Sequence, residues 1–257
     1  MNIRLKKNKL NIIDKLPAPF ITEKTFLKND DRHLTGEDVK MGIIGTGGVD
    51  HKDIKNIEDF ESFSDNGINK EDSFGLSTIC SGIIGANNSR DGLVGLAPNS
   101  KIYLTKTFNN RGEADLNSII ASVIWLTIKE VDIILIPFDI EAINYGLENS
   151  FKKAFDNNIL IINNYYKINN DNSPLIEELL TVSKDKKEEK NNIHLDERKI
   201  MSCFLENKYV DLTNKFAYTS FVAGASALLI DKYKKSNKKW THRNIIVDLK
   251  SYLGGKK

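Results

Sequence analysis

The residues of this 257-residue chain that could act as nucleophile or base are few: two cysteines, four histidines and some hydroxyls in apolar surroundings. Cys80 sits between Ser77 and Ser81 in Leu76-Ser77-Thr78-Ile79-Cys80-Ser81-Gly82, and Thr219 and Ser220 enter a second stretch of small and apolar residues. Nucleophilic catalysis needs such a group within reach of a base that a third group orients. His33, His51, His194 and His242 are the candidate bases. A thiol on the packed face of an apolar helix is a structural group rather than a reactive one. The histidines lack metal-ligand spacing. Cys80 and Cys203 are too few for a disulfide framework and read as buried, reduced thiols.

The elements that must position these groups follow from the hydropathy pattern. Lys40–Gly45, Lys101–Lys106, Val131–Ile136 and Ile159–Ile162 are short apolar strands, nearly continuous as in a sheet covered on both faces. Helical spacing fills the gaps. A buried helix follows Leu76 and ends near Asn87-Asn88. An amphipathic helix covers Asp115 to Glu130, with Leu116, Ile119, Ile120, Val123, Ile124 and Ile128 inward. Further helices are expected around 147–157, 219–230 and 241–253, with Thr241 as an N-cap. Glu177–Val182 reads as a strand, residues 56–72 as a charged surface loop, and Lys184–Lys190 as a solvated run. Strands alternating with helices predict an α/β domain with a parallel central sheet.

Composition excludes several functions. Lys and Arg number 37 against 35 Asp and Glu, and six of the cations are Arg, so neither nucleic acid nor an anionic membrane is an expected partner. No apolar run reaches membrane-spanning length and no secretory leader follows the basic Met1–Lys7, so a cytoplasmic protein is expected.

Four landmarks then resemble the subtilases, the subtilisin-like serine peptidases. Ile43-Ile44-Gly45-Thr46-Gly47 with His51-Lys52-Asp53-Ile54 is similar to VxDTG with HPDL. Leu76–Gly82 through Ala97-Pro98 is similar to HGTHVAG and GVxGVAP. Asp132–Asp139 is similar to DVINMSLG, and Phe221–Ala225 to the HVAGA that follows the family's nucleophile. The resemblance runs from about Lys40 to Ile230 and implies the subtilisin-like three-layer fold, its parallel sheet flanked by helices. It divides the chain into an arm, 1–39, too short for a folded propeptide, and a domain, 40–257. Ile3-Arg4-Leu5 and Leu16-Pro17 faintly resemble the short arm of intracellular subtilisins.

The same resemblance locates a triad that this chain does not spell. The acid falls on Gly45, the base on Leu76, the nucleophile on Phe216, and the oxyanion donor on Lys167. Asn163 or Asn164 could donate only if their strand were shortened. Pro137, Phe138, Asp139 and Ile140 replace the substrate-edge SLGG and are the candidate peptide-binding residues. The loop Asn87–Gly92 aligns with a calcium-binding segment, and its oxygens suit Ca²⁺, but such clusters are also plain turns; no cofactor is otherwise expected. The expectation is a pseudopeptidase that binds a peptide, propeptide or leader segment, or an active peptidase. A peptidase with rearranged residues, such as Ser77, Cys80, Ser81 or Ser220 with a histidine, is the alternative, and a structural oligomer subunit the third.

Overall fold

In the computed structural model, residues 2–5, 29–65, 69–87, 94–140, 144–166, 179–183, 192–194 and 215–253 are described. Seven strands form one parallel sheet: β2 (Lys40–Gly45), β3 (Ile57–Ser62), β4 (Lys101–Lys106), β6 (Ile133–Ile140), β7 (Leu160–Tyr166), β8 (Leu180–Ser183) and β9 (Asn192–His194), in the order β3-β4-β2-β6-β7-β8-β9. The central strands β2 and β6 are buried along nearly their whole length, as an apolar parallel strand between two helical layers must be. The first strand, β1 (Asn2–Arg4), pairs antiparallel with β5 (Glu113–Asp115) in a separate two-stranded ribbon.

The glycines of β2 show the layers directly. A Cβ on Gly42 would meet Leu126 of α2 (Leu116–Ile128), whereas one on Gly45 would meet Ser77 of α1 (Leu76–Gly85). Residues an odd number apart on a strand point to opposite faces, so the two helices cover opposite sides of the sheet. Helix α1 packs on α4 (Lys215–Lys235), and α2 on α3 (Tyr145–Asp156); α5 (His242–Leu253) lies against α4. Every residue of α1 is buried, which matches its small and apolar composition. Side-chain oxygens of Asp115, Asn144 and Thr241 cap α2, α3 and α5 by accepting from Ser118, Leu147 and Asn244 N–H. The α/β fold with a parallel central sheet is as expected from the sequence.

Two local expectations are corrected. Within 56–72, read as a loop, Ile57–Ser62 is the edge strand β3. Its acidic residues Glu58, Asp59 and Glu61 suit an edge strand that stays partly wet, and Asp59 pairs with Lys129 at 2.7 Å. In α2 the inward face is Leu116, Ile119, Val123 and Leu126, while Ile124 and Ile128 are 42% and 71% exposed. Ile124 and Ile128, four residues apart, form a row displaced from the 116/119/123/126 stripe and turn away from the sheet.

Residues 31–39 pack with the domain. The Asp31 carboxylate accepts from Lys232 Nζ at 2.8 Å and Tyr252 Oη at 3.1 Å, and Asp231 accepts from Thr35 and Gly36 N–H at 3.0 Å each. Leu34 and Val39 lie in the core. Among the described residues, no helix is long and apolar enough to cross a membrane.

Candidate functional site

The C-terminal ends of parallel strands are where an α/β sheet collects functional groups. Here β2 ends at Gly45 beside the start of α1. The Ser77 Oγ stands directly over Gly45, accepting hydrogen bonds from Thr46 N at 2.9 Å and Gly47 N at 3.1 Å. A Cβ on Gly45 would come closer than 3.0 Å to that oxygen, a separation real Cβ atoms do not show. On the other side, Thr107 donates both its N–H and its Oγ1 to the Gly45 carbonyl, each at 3.0 Å. The strand end is therefore occupied by a serine hydroxyl and closed by a threonine.

Asp72 secures the loop that enters α1. One carboxylate oxygen accepts from Thr78 N at 2.8 Å and Thr78 Oγ1 at 2.7 Å, and the other from Thr46 Oγ1. Gly75, with φ 72°, turns the chain, and Leu76 follows as the first helical residue, buried in the core. Lys106, the last residue of β4, is also buried; its Nζ donates to the Glu71 carbonyl at 2.7 Å and contacts Asn110 Oδ1 at 3.5 Å. Burial lowers the Lys106 pKa, against the opposing pull of Glu71 and Asp72. Phe216, in the first turn of α4, is half-buried against the core, and its carbonyl accepts from Ser220 Oγ at 2.7 Å. Lys167 lies outside the described residues.

The ends of β6 and β7 carry a feature that spacing alone does not reveal. Their register passes from Ile136↔Asn163 to Asp139↔Tyr165, so β6 holds one extra residue, a bulge centred on Pro137 and Phe138. Proline has no N–H to donate to the ladder, and the bulge leaves neighbouring carbonyls unpaired. Two asparagine amides fill the gap. Asn163 Nδ2 donates to Ile136 O at 3.1 Å and Phe138 O at 2.9 Å, and Asn164 Nδ2 donates to Pro137 O at 3.0 Å. Asn164 Oδ1 accepts from Thr219 Oγ1, tying β7 to α4. The strand is not shortened, running on to Tyr166, and both amides donate to main-chain carbonyls of β6. The signal in the sequence was Asn-Asn facing a proline-containing strand.

Of the candidate peptide-binding residues, Phe138 and Ile140 are buried, Pro137 lies within the bulge, and Asp139 is half-buried. Phe138 meets Phe108 edge-on, ring centroids 4.9 Å apart. Phe108 follows β4, so this pair joins the strand ends on either side of β2.

Burial pushes the Cys80 thiol up to about 12, with its hydrogen-bonding contact to the Ser220 side chain acting the other way. Among the described residues, Ser77, Cys80, Ser81 and Ser220 have no histidine hydrogen-bond partner. His51 Nδ1 accepts from Asp53 N at 3.2 Å, and His242 stacks obliquely on Phe155 with centroids 5.6 Å apart. Among the described residues no group of three His, Cys, Asp or Glu could hold a metal ion. Of the Asn87–Gly92 loop only Asn87 is described, bridging to Val94.

Residues 36–167, just over half of the chain, match the profile of the subtilase family, Peptidase S8. The chain is 28% identical to the minor extracellular protease Epr of Bacillus subtilis over 129 residues, covering 50% of this chain and 20% of that protein. It is 28% identical to subtilisin DY of Bacillus licheniformis over 128 residues, 49% of this chain and 46% of that one. The major intracellular serine protease of Bacillus subtilis is 28% identical over 136 residues, 50% of this chain and 43% of that protein. The matches thus span less than half the length of these relatives. The family match takes in the first three sequence landmarks and stops before Phe221–Ala225.

Proposed function

Because the chain belongs to the subtilase family, we propose that it is a member without peptidase chemistry, which acts by binding. The single observation behind this is the end of β2. The position that aligns with the catalytic acid is Gly45, and the space a side chain would need there is filled by Ser77 Oγ, itself fastened to Thr46 and Gly47 N–H. Leu76 and Phe216 at the aligned base and nucleophile positions are hydrocarbon groups, which cannot accept a proton or attack a carbonyl. Loss of such a unit removes its contribution as a whole, because the three groups act together.

What such a scaffold retains is a surface for extended peptides, captured by adding a strand. The ligand is a peptide, propeptide or leader segment, or an active peptidase, in a regulatory or scaffolding role in the cytoplasm. At Pro137–Ile140 recognition falls on main chain and on Asp139, since Phe138 and Ile140 point into the core. The test is turnover of a broad peptide library by purified protein, read by mass spectrometry. No cleavage above buffer is expected. Cleavage abolished by a single substitution at Ser77, Cys80, Ser81 or Ser220 would refute the proposal in favour of a rearranged peptidase.

A further inference from the structure

Helix α2 is a surface helix without a single charged side chain. From Leu116 to Ile128 it reads Leu-Asn-Ser-Ile-Ile-Ala-Ser-Val-Ile-Trp-Leu-Thr-Ile, and Leu116, Ile119, Val123 and Leu126 face the sheet. At roughly 100° per residue, the direction opposite that stripe falls to Asn117, Ala121, Ile124 and Ile128. All four reach the surface, Ile124 and Ile128 at 42% and 71% exposure. Their spacing of four, three and four residues is the repeat along which one helix packs on another.

The positions on either side of this seam are Ser118, Ile120, Trp125 and Thr127, also uncharged. A Cβ on Gly146 would lie 3.1 Å from Ile120 Cδ1, so α3 begins against α2 there and sets Tyr145, 81% exposed, beside the seam. Of the four large apolar residues that stand exposed among the described residues, three thus share one face; the fourth, Val247, is on α5. A contiguous apolar face of this kind marks an interaction site.

The chemistry of the face also selects its occupant. Flanking charges choose partner and orientation in helix pairing, and here the charges begin only beyond the helix ends, with Asp115 before it and the Lys129–Asp59 pair after it. A highly charged partner has nothing to read, and an anionic membrane needs lysines or arginines that α2 lacks. A second copy meets no such obstacle. An isologous interface sets each patch against itself, and an uncharged patch does so without opposing like charges. Run antiparallel about a two-fold axis, Ala121 of one copy faces Ile124 of the other, small against large, and Asn117 faces Ile128. The helix dipoles then oppose one another favourably.

We propose that the Asn117–Ile128 face of α2 is a dimerisation seam for a second copy of this chain, paired antiparallel. It is independent of the binding function proposed above. Helices α1 and α2 cover opposite faces of the sheet, so this pairing leaves the Gly45–Ser77 side uncovered in both copies and turned away from the partner. The seam spans three turns and belongs with the smaller specific interfaces, so the dimer is a weak one, with Kd of roughly micromolar order.

Sedimentation velocity of the full chain from about 1 µM to 1 mM brackets that value, and the wild type should pass from monomer to dimer across it. Ile128→Glu puts a carboxylate on the seam of each copy and should raise Kd at least about tenfold, the effect of losing one apolar anchor. Val247→Glu, on α5, should leave Kd unchanged. Adding Asn117→Lys to Ile128→Glu should recover roughly two- to fivefold, because the antiparallel register sets Lys against Glu twice. Within one helix those two positions are about 16 Å apart and cannot meet. Unchanged circular dichroism certifies that each variant is folded. A wild type that stays monomeric throughout, or a dimer that Ile124→Glu and Ile128→Glu leave intact, overturns the seam. Absence of recovery in the double variant overturns the antiparallel pairing. Co-sedimentation with phosphatidylcholine vesicles that Ile128→Glu abolishes would assign the face to lipid instead and also overturn it.

Discussion

Replacing Gly45 by alanine tests whether the end of β2 has been rebuilt around Ser77. The new Cβ would overlap the Ser77 hydroxyl, while Ser77 Cβ and Cα, at 3.4 and 3.6 Å, are at ordinary contact distance. The clash is thus confined to one oxygen. Overpacking of this kind costs about 1–3 kcal/mol. If the hydroxyl turns aside to relieve it, Thr46 and Gly47 N–H lose their acceptor in a buried site, at roughly 1–3 kcal/mol for each donor left unsatisfied. The cheaper route decides, so Gly45→Ala should destabilise by about 1–3 kcal/mol. Ser77→Gly alone should also destabilise, through the lost acceptor and the helix-start glycine. The combination Gly45→Ala with Ser77→Gly removes the oxygen that clashes, and should be less destabilising than the two single costs added, by about 1–2 kcal/mol. Urea denaturation of the four proteins, with equal m-values, measures the cycle. Strict additivity, or a Gly45→Ala protein within about 0.5 kcal/mol of wild type, would refute the account. The same geometry predicts that Gly45→Asp, Leu76→His and Phe216→Ser together recover no triad unless Ser77→Gly is included.

With its thiol pushed up to about 12, Cys80 should resist iodoacetamide at pH 8 in a Cys203→Ser background and react only on unfolding; native labelling at a free-thiol rate would contradict its buried placement. Asn163→Ala should cost roughly 2–4 kcal/mol, since the Ile136 and Phe138 carbonyls lose their donor in a buried bulge; a change under about 0.5 kcal/mol in the urea midpoint would mean the bulge is satisfied otherwise. Burial lowers the Lys106 pKa, so the unfolded chain binds more protons as pH approaches 10.5, and this group makes stability rise with pH below that value. Lys129, Lys232 and Lys235 have raised values and act oppositely, their stabilisation fading only as pH climbs above 10.5. The stability of wild type minus that of Lys106→Met should therefore rise with pH towards 10.5; a value that falls over that range would reverse the assigned sign.

Much of the fold was legible because its signals are local. Unbroken apolar runs such as Ile133–Ile136, short and mostly β-branched, suit strands covered on both faces, and the small and apolar residues of Leu76–Gly85 suit a helix buried all round. That the positions Gly45, Leu76 and Phe216 carry no carboxylate, imidazole or hydroxyl was equally readable. Residues 57–62 were missed as a strand because an edge strand can be charged, and pairing with β4 rather than composition forms it.

What the sequence determined by itself was which side chains are present at each position and the periodicity that builds the layers. Only the tertiary structure decided what those side chains do. Ser77 and Gly45 are thirty-two residues apart, and nothing local announces that one fills the space left by the other. Asn163 and Asn164 looked like spare amides until Pro137 was placed across the ladder from them. The first residues of the chain looked like a tail until Arg4 and Glu113 were paired. In each case the partner is distant in sequence, and hydrogen-bond and steric complementarity exist only once the chain has closed the distance.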